Sequence, residues 1–270
     1  ASSNLSLFFA CDVEKNIMTK IICIVILKLS LNIFILFMIK KNSRHSIKLI
    51  KYYKFINFNL IYNNKAINRY KKDNFEITAD KAENLERLKK SISNIKNCSI
   101  KNNATNIVFS DGNPKSKIML IGEAPGSNED QEGLPFVGRA GTLLNKMLAS
   151  INLNRKNVYI SNIINYRPPE NRRPTDEEMN RYLPFIKKHI EIIAPKILIL
   201  LGSTAMNALI GNDVVISKVR GQWIEKEFGK CKTSVIVTFH PAFLMRQPTQ
   251  KKLAWVDLKM IRDKKTKLNI

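Results

Sequence analysis

The sequence predicts an α/β fold of three layers, with helices on both faces of a four-stranded parallel sheet. Short apolar runs, each with the length of a buried strand, alternate along the chain with patterns typical of amphipathic helices. Such an alternation favours a parallel sheet whose two faces are both covered. The predicted strands are residues 117–121, 157–160, 197–201 and 234–239.

Helical patterns precede and separate these strands. The first has apolar residues from Ala82 to Ile95 at the spacing of one helix face. A later pattern begins directly after Pro174, where Thr175 and Glu178 form the sequence of a capping box. The predicted helices are residues 79–95, 139–151, 175–193 and 203–210.

The composition changes near residue 75 and divides the chain into an N-terminal extension, residues 1–75, and an α/β domain, residues 76–270. The extension is basic and contains neither Gly nor Pro, and the whole chain has a formal net charge of +23. A charge of this size favours a polyanionic partner such as nucleic acid. A lysine bias in an A+T-rich coding sequence produces the same excess, so the charge alone does not decide.

Residues 21–39 of the extension are mostly apolar and nearly long enough to cross a bilayer core. Lys28 interrupts them, at a cost of about 2.5–3.5 kcal/mol near the centre of a spanning helix. A signal peptide does not fit, because no small-residue cleavage site follows. Two interpretations stay open: a membrane anchor that leaves the following domain in the cytoplasm, or a dispensable extension upstream of a start at Met18 or Met38.

The cysteines indicate a reducing compartment. Cys11, Cys23, Cys98 and Cys231 are scattered, with no CxxC pair and no spacing typical of a disulfide framework. We therefore expect a cytoplasmic protein.

Polar and turn-forming residues follow all four predicted strands. Glu123 and Gly126 come after the first strand, Asn162 after the second, Ser203 after the third and His240 after the fourth. Taken singly, each has a simpler interpretation as a turn, a loop cap or a structural histidine. Because the carboxyl ends of parallel strands meet at one edge of a sheet, their joint occurrence predicts an active site there.

Several segments together resemble the motifs of family 4 uracil-DNA glycosylases. The first is the GEAPG segment with the GLPFVGRAG segment that follows it, the second is SNIINYRPPENR, and the third is HPAFLMRQP. The resemblance covers roughly residues 85–263 and implies a uracil-DNA glycosylase-like fold for them. The matching segments are residues 105–109, 122–126, 129–130, 133–141, 161–172, 219–223 and 240–248.

The resemblance implies a pocket for a uracil base extracted from the DNA stack. Gly122 and Ala124 would line the pocket and Phe136 would stack on the base, a contact worth about 1–3 kcal/mol. Asn162 would read the Watson–Crick edge, because its amide offers a donor to O4 and an acceptor to N3–H of uracil. Cytosine reverses both groups, so one Asn separates the two bases.

Two further residues would carry the chemistry that the resemblance implies. His240 would donate to O2 of the departing uracil, where preorganised donors are worth about 3–4 kcal/mol. Glu123 would stand near the water that attacks the sugar, or stabilise the cationic sugar; both roles stay open. We expect a monofunctional enzyme that leaves an abasic site, since no Lys follows a strand to form a Schiff base.

Contacts to DNA are expected from the same resemblance. Leu244 and Met245 are candidates for a wedge that enters a base step, with packing beneath the loop as the alternative. Candidates for contacts to phosphates are Arg172, Lys218, Arg220 and Arg246.

The chain departs from the family at its iron–sulfur cluster. Members usually hold a cluster with four cysteines, which correspond here to Ile95, Cys98, Tyr166 and Tyr182. Cys98 is the one family ligand that remains, and cysteine thiolates are what hold such clusters. We therefore expect no metal and no cofactor, with the other three side chains filling the space.

Two rival functions compete with this interpretation. A relative that becomes covalently linked to DNA through a His in an inserted loop is rejected, because residues 169–174 contain no such insertion. A catalytically inactive DNA-binding module of the same fold stays as the alternative, although Glu123, Asn162 and His240 argue against it. The expected partner is uracil-containing DNA, bound by a monomer without a small-molecule cofactor; membrane association through residues 21–39 is not the expectation.

Overall fold

The computed structural model describes residues 80–211 and 215–270. The predicted extension, with its apolar run at 21–39, lies outside the described residues. Among the helices of the described part, none has both the length and the apolar character that crossing a membrane requires.

The central element is a six-stranded sheet with the strand order β1-β3-β2-β4-β6-β5. The neighbours β3-β2-β4-β6 are mutually parallel, which confirms the four predicted strands and their class. Two antiparallel edge strands, β1 and β5, flank them and were not predicted. The strands are β1 Asp111–Gly112, β2 Ile118–Gly122, β3 Tyr159–Asn162, β4 Ile197–Leu201, β5 Trp223–Phe228 and β6 Cys231–Thr238.

The predicted helices are present within two residues of their expected ends, apart from shorter helices that the sequence pattern did not reveal. The longest begins after Thr175, whose side chain accepts from the backbone of Glu178 in the predicted capping box. The helices are α1 Lys81–Ser93, α2 Ser99–Asn103, α3 Ser127–Glu132, α4 Arg139–Ala149, α5 Asp176–Ile193, α6 Ser203–Leu209, α7 Ile216–Val219, α8 Pro241–Arg246 and α9 Lys251–Lys267.

Two apolar clusters cover the two faces of the sheet. Along β2, Met119 and Ile121 belong to one cluster, whereas Ile118 and Leu120 belong to the other. This alternation follows from the twofold side-chain period of a strand. Helices α1, α5 and α6 supply the first cluster and helices α4, α8 and α9 supply the second, which gives the three predicted layers.

The strand order places a crevice at the carboxyl edge of the sheet. The chain passes from β2 to β3 on one side and then returns to β4 on the other side of β2. Such a reversal separates the loops that leave neighbouring strands, and ligands of open α/β sheets bind in the space between them. The strand order alone therefore determines where the site lies.

Candidate active site

A cavity of about 200 Å³ lies at this edge of the sheet, and six of the predicted site residues line it. Gly122, at the end of β2, lies directly behind two of these residues and is not itself among the lining residues: a Cβ atom there would lie 2.5 Å from both Asn162 Oδ1 and Phe136 Cζ. A glycine is thus required for the two side chains to come together. The predicted residues that line it are Glu123, Ala124, Phe136, Asn162, Arg172 and His240.

Phe136 reaches the cavity from a loop between α3 and α4 in an unusual backbone conformation. Its φ angle is +57°, in the left-handed region that non-glycine residues rarely adopt. The ring is buried, and its centroid lies 5.6 Å from the centroid of the His240 ring with an angle of 32° between the planes. A planar guest in the cavity would therefore meet an aromatic face beside an imidazole.

Asn162 ends β3 and is 2% exposed. Its side-chain Oδ1 atom is buried and has no hydrogen-bond partner among the residues that the structure describes. An unpaired buried acceptor costs about 1–3 kcal/mol, and such atoms in native proteins call for an explanation. Its position on the wall of the cavity makes a ligand that donates a hydrogen bond the natural partner.

His240 caps the N-terminus of α8. Its Nδ1 atom accepts a hydrogen bond from the backbone N–H of Ala242 at 3.2 Å, so the proton of the neutral ring lies on Nε2. Burial, with a smaller contribution from the charge of Arg246 and opposition from Glu129, lowers the pKa of His240 to about 4. Near neutral pH the ring is therefore an uncharged donor through Nε2–H.

Glu123 is oriented by a residue that was not predicted to belong to the site. The hydroxyl of Thr204, on α6, donates to Oε2 of Glu123 at 2.5 Å. Thr204 is buried, so its hydroxyl has little freedom to turn away. It follows Ser203, the residue noted after the third predicted strand, but no pattern in the sequence marks it as a partner of Glu123.

Glu129 is a second unassigned residue at the cavity. Its carboxylate accepts from the backbone N–H of Gly126 at 3.1 Å and from that of Gly138 at 2.8 Å. These bonds connect the turn after β2 with the loop that carries Phe136. The motif that contains Glu129 was visible in the sequence, whereas this connecting role was not.

The predicted DNA contacts lie in different environments. Arg172 lines the mouth of the cavity and is paired with Glu178 at 2.6 Å. Lys218 on α7 and Arg246 at the end of α8 are exposed, and Met245 is half-buried. Leu244, on α8, is 1% exposed within the second apolar cluster, as the packing alternative has it, and in this arrangement it does not project into solvent.

The guanidinium group of Arg220 is bonded to other residues of the protein. Its Nη2 atom lies 2.6 Å from Oδ1 of Asp257, Nε donates to the other carboxylate oxygen at 3.2 Å, and Nη2 also donates to the carbonyl of Leu253. The guanidinium lies 5.3 Å from the centroid of the Phe239 ring. Asp257 is fully buried, and burial raises the pKa of its carboxyl group while Thr238 and Arg220 counteract that shift.

The four positions aligned with iron–sulfur ligands do not fit a cluster. Cys98 is buried, and its Sγ atom lies 3.4 Å from the hydroxyl of Tyr182. Tyr182 and Tyr166 are buried in the first apolar cluster, and Ile95 packs against it. Elsewhere in the described ranges too, His, Cys, Asp and Glu form no group of three or more that could hold a metal ion. A single thiolate with two phenols and an alkyl group does not provide the ligands that a cluster requires.

Comparisons with known proteins identify the family. Residues 109–259 match the family model of the uracil DNA glycosylase superfamily. A type-4 uracil-DNA glycosylase of Sulfurisphaera tokodaii is 38% identical over 67% of this chain and 84% of its own length. Type-4 uracil-DNA glycosylases of Thermotoga maritima and Archaeoglobus fulgidus are 44% and 38% identical, over 60% and 66% of this chain and 81% and 92% of their own lengths.

Proposed function

The chain belongs to the type-4 uracil-DNA glycosylases of the uracil DNA glycosylase superfamily, and we propose that it hydrolyses the N-glycosidic bond of deoxyuridine in DNA. The products are free uracil and an abasic site, and the reaction begins base excision repair. The observation that carries this function is the unpaired Oδ1 of Asn162, buried in the same cavity as the ring of Phe136 and the neutral imidazole of His240.

Base recognition depends on Phe136 and Asn162. The flipped uracil stacks on the ring of Phe136, between the backbone turn at Gly122 and Ala124 and the loop that carries the ring. Asn162 Oδ1 accepts from N3–H of uracil and the amide nitrogen donates to O4. Cytosine has an unprotonated N3 and an amino group at C4, so it would leave the buried Oδ1 unpaired and would place two donors against each other.

His240 stabilises the leaving group. As the glycosidic bond breaks, its electron pair remains on N1 of uracil and is shared with O2. The Nε2–H of neutral His240 donates to O2, where that negative charge develops. Because the ring is already oriented by Ala242, the donor needs no rearrangement during the reaction.

Glu123 acts on the opposite side of the broken bond. One of its carboxylate oxygens accepts from Thr204, which leaves the other to accept from the attacking water. The water oxygen bonds to C1′ of the cationic sugar and a proton of the water passes to solvent through Glu123. The carboxylate charge also favours the cationic sugar, so both roles considered from the sequence are compatible with one position.

The DNA strand would cross the mouth of the cavity. Arg172, Lys218 and Arg246 are the exposed candidates for phosphate contacts, and Met245 is the better placed of the two wedge candidates because Leu244 is buried. We propose that Arg220 stabilises this face through its ion pair with Asp257 and does not contact DNA directly.

The remaining properties are also proposals. The enzyme acts as a monomer in the cytoplasm on uracil-containing DNA and without an iron–sulfur cluster. Packing of Ile95, Tyr166 and Tyr182 around Cys98 supports the last proposal, because it leaves one thiol where a cluster needs several.

Uracil release by the full chain tests the function. A duplex with a labelled U·G pair is incubated with the protein, with a T·G duplex of the same sequence as the matched substrate control. We expect abasic sites in the U·G duplex alone. A folded protein that binds the U·G duplex and releases no uracil would instead be the inactive DNA-binding module.

A further inference from the structure

Phe136 is held in its left-handed conformation by other residues that contact its backbone atoms. A residue other than glycine at φ +57° is under steric strain, which persists when surrounding groups hold the backbone. On one side, helix α4 approaches so closely that a Cβ atom on Gly141 would lie 1.7 Å from the carbonyl oxygen of Phe136. The carbonyl groups of Pro135 and Phe136 both accept from one charged side chain.

That side chain is Arg155, which lies in a short 3₁₀ segment, Arg155–Asn157, just before β3. Its Nη1 atom donates to the carbonyl of Pro135 at 3.1 Å, and its Nη2 atom donates to the carbonyl of Phe136. One guanidinium therefore fixes two successive carbonyl groups, and with them the peptide plane that directs the aromatic ring. The forked geometry of Arg suits this contact, whereas the single ammonium of Lys does not.

Other residues orient the guanidinium. Arg155 forms an ion pair with Asp111, and its Nε atom donates to Oδ1 of Asn145 on α4 at 2.9 Å. Asp111 belongs to β1, the two-residue edge strand that pairs with β3. This strand is tightly packed, since a Cβ on Gly112 would lie 2.2 Å from the carbonyl oxygen of Val158. Hence β1 brings a carboxylate to the guanidinium from outside the cavity.

We propose that Arg155 is a positioning residue for uracil excision: paired with Asp111, it sets the stacking ring of Phe136 through the carbonyl groups of Pro135 and Phe136. The inference rests on the proposed function, because it supplies the geometry of a base-stacking platform. Arg155 is not among the cavity-lining residues, so it acts on the base through Phe136 alone.

The chain contains a matched control for this role. Arg181 donates to the carbonyls of Asn97 and Lys96 at 2.6 and 2.9 Å, and Asn97 also has a positive φ angle, +53°. Arg181 thus makes the same kind of clamp at a site outside the cavity lining. Loss of either arginine removes a clamp on two successive carbonyl groups, but loss of Arg155 alone releases the ring.

The test compares R155A, R181A, F136A and the double variant R155A/F136A in the full chain. Single-turnover uracil release, the affinity for free uracil and the thermal unfolding midpoint are measured for each. We expect R155A to lower uracil release and free-uracil affinity by about 10- to 100-fold, as small misplacements of a positioning group do. R181A should keep both values within about twofold of the parent, whatever its effect on unfolding.

The double variant separates positioning from general damage. If Arg155 acts through the ring, R155A adds no further loss in the F136A background, because coupled residues are not additive. The proposal would be overturned if R155A lowered uracil release by the same factor in the parent and in the F136A background. It would also be overturned if R155A and R181A lowered uracil release equally. R155K should recover less than half of the loss, since it keeps the charge beside Asp111 without the fork. An inactive parent would count against the proposed function instead, in which case free-uracil affinity of R155A still tests the positioning of the ring.

Discussion

The Nδ1 atom of His240 accepts a hydrogen bond from the backbone N–H of Ala242, at the first turn of α8. This one contact caps the helix, fixes the ring orientation and leaves Nε2 as the proton donor. It therefore joins the local structure of α8 to the proposed chemistry, since the same imidazole ends the helix and faces the leaving base. Protonation of Nδ1 would turn the acceptor into a donor that opposes Ala242.

The pH dependence of stability follows from this contact. The pKa of His240 is about 4 in the folded protein against 6.5 ordinarily, so the unfolded chain binds the proton first as the pH falls. The stabilising effect is complete above pH 6.5 and is lost as the pH falls to about 4. H240N keeps a side-chain cap but cannot titrate, so we expect it to lose about 2 kcal/mol less than the parent between pH 7 and pH 4. Urea unfolding at both values measures the difference, and identical losses in the two proteins would contradict the assignment.

Thr204 provides a test of how Glu123 is oriented. T204V removes the hydroxyl that donates to Glu123 Oε2, and a bond to a charged group is worth about 1.5–3 kcal/mol. We expect uracil release to fall about tenfold or more, with DNA affinity unchanged. T233V is the matched control, because the buried hydroxyl of Thr233 has no partner among the described residues. T233V should keep full activity and gain stability. Equal activity in T204V and the parent would show that Thr204 does not orient Glu123 for the reaction.

There is a physical reason why the central strands and the residues that follow them could be predicted from the sequence. Apolar runs such as Ile197–Leu201 are buried on both faces and leave a strong pattern, and Glu123, Asn162 and His240 follow such runs directly. The edge strand Trp223–Phe228 carries alternating charges with one side near solvent, and β1 has two residues, so neither presents a comparable pattern.

Contacts between distant residues could not be read from the sequence. Arg155 and Phe136 are 19 positions apart and Thr204 and Glu123 are 81 apart, and nothing local indicates that they meet. Burial is also a property of the fold. The sequence left both a wedge and a packed position open for Leu244 and favoured a phosphate contact for Arg220, yet Leu244 lies in the core and Arg220 pairs with Asp257.

Arg220 and Lys218 should differ in what their loss affects. R220M leaves the fully buried Asp257 without its cation, and breaking such a pair costs about 3–5 kcal/mol. K218M removes an exposed charge, so it should leave stability unchanged and reduce the salt dependence of DNA binding by about one charge. Chemical unfolding and DNA binding at several salt concentrations distinguish the two. Unchanged stability in R220M with weakened DNA binding would return Arg220 to the DNA contacts.

The replaced cluster positions give a spectroscopic prediction. The purified full chain should show no visible absorption of an iron–sulfur cluster and no bound iron or sulfide. C98A should cost about 1 kcal/mol of stability, as for a small buried side chain, and should leave uracil release unchanged. C231A, at another buried cysteine, is the control for packing loss. Iron and sulfide bound in stoichiometric amounts, and lost in C98A, would contradict the packing account.

The most direct test of the central claim is single-turnover uracil release by the parent, N162A, H240A and N165A. Asn165 lies three residues after Asn162 and is also buried, but its amide donates to the carbonyl of Val108 at 3.1 Å and has no part in the cavity lining. We predict rapid release by the parent and by the folded fraction of N165A, with losses of about 100- to 1000-fold in H240A and about 10-fold or more in N162A. Release at the parental rate by folded N162A and H240A would contradict the account, because the cavity described here would then not be where uracil is excised.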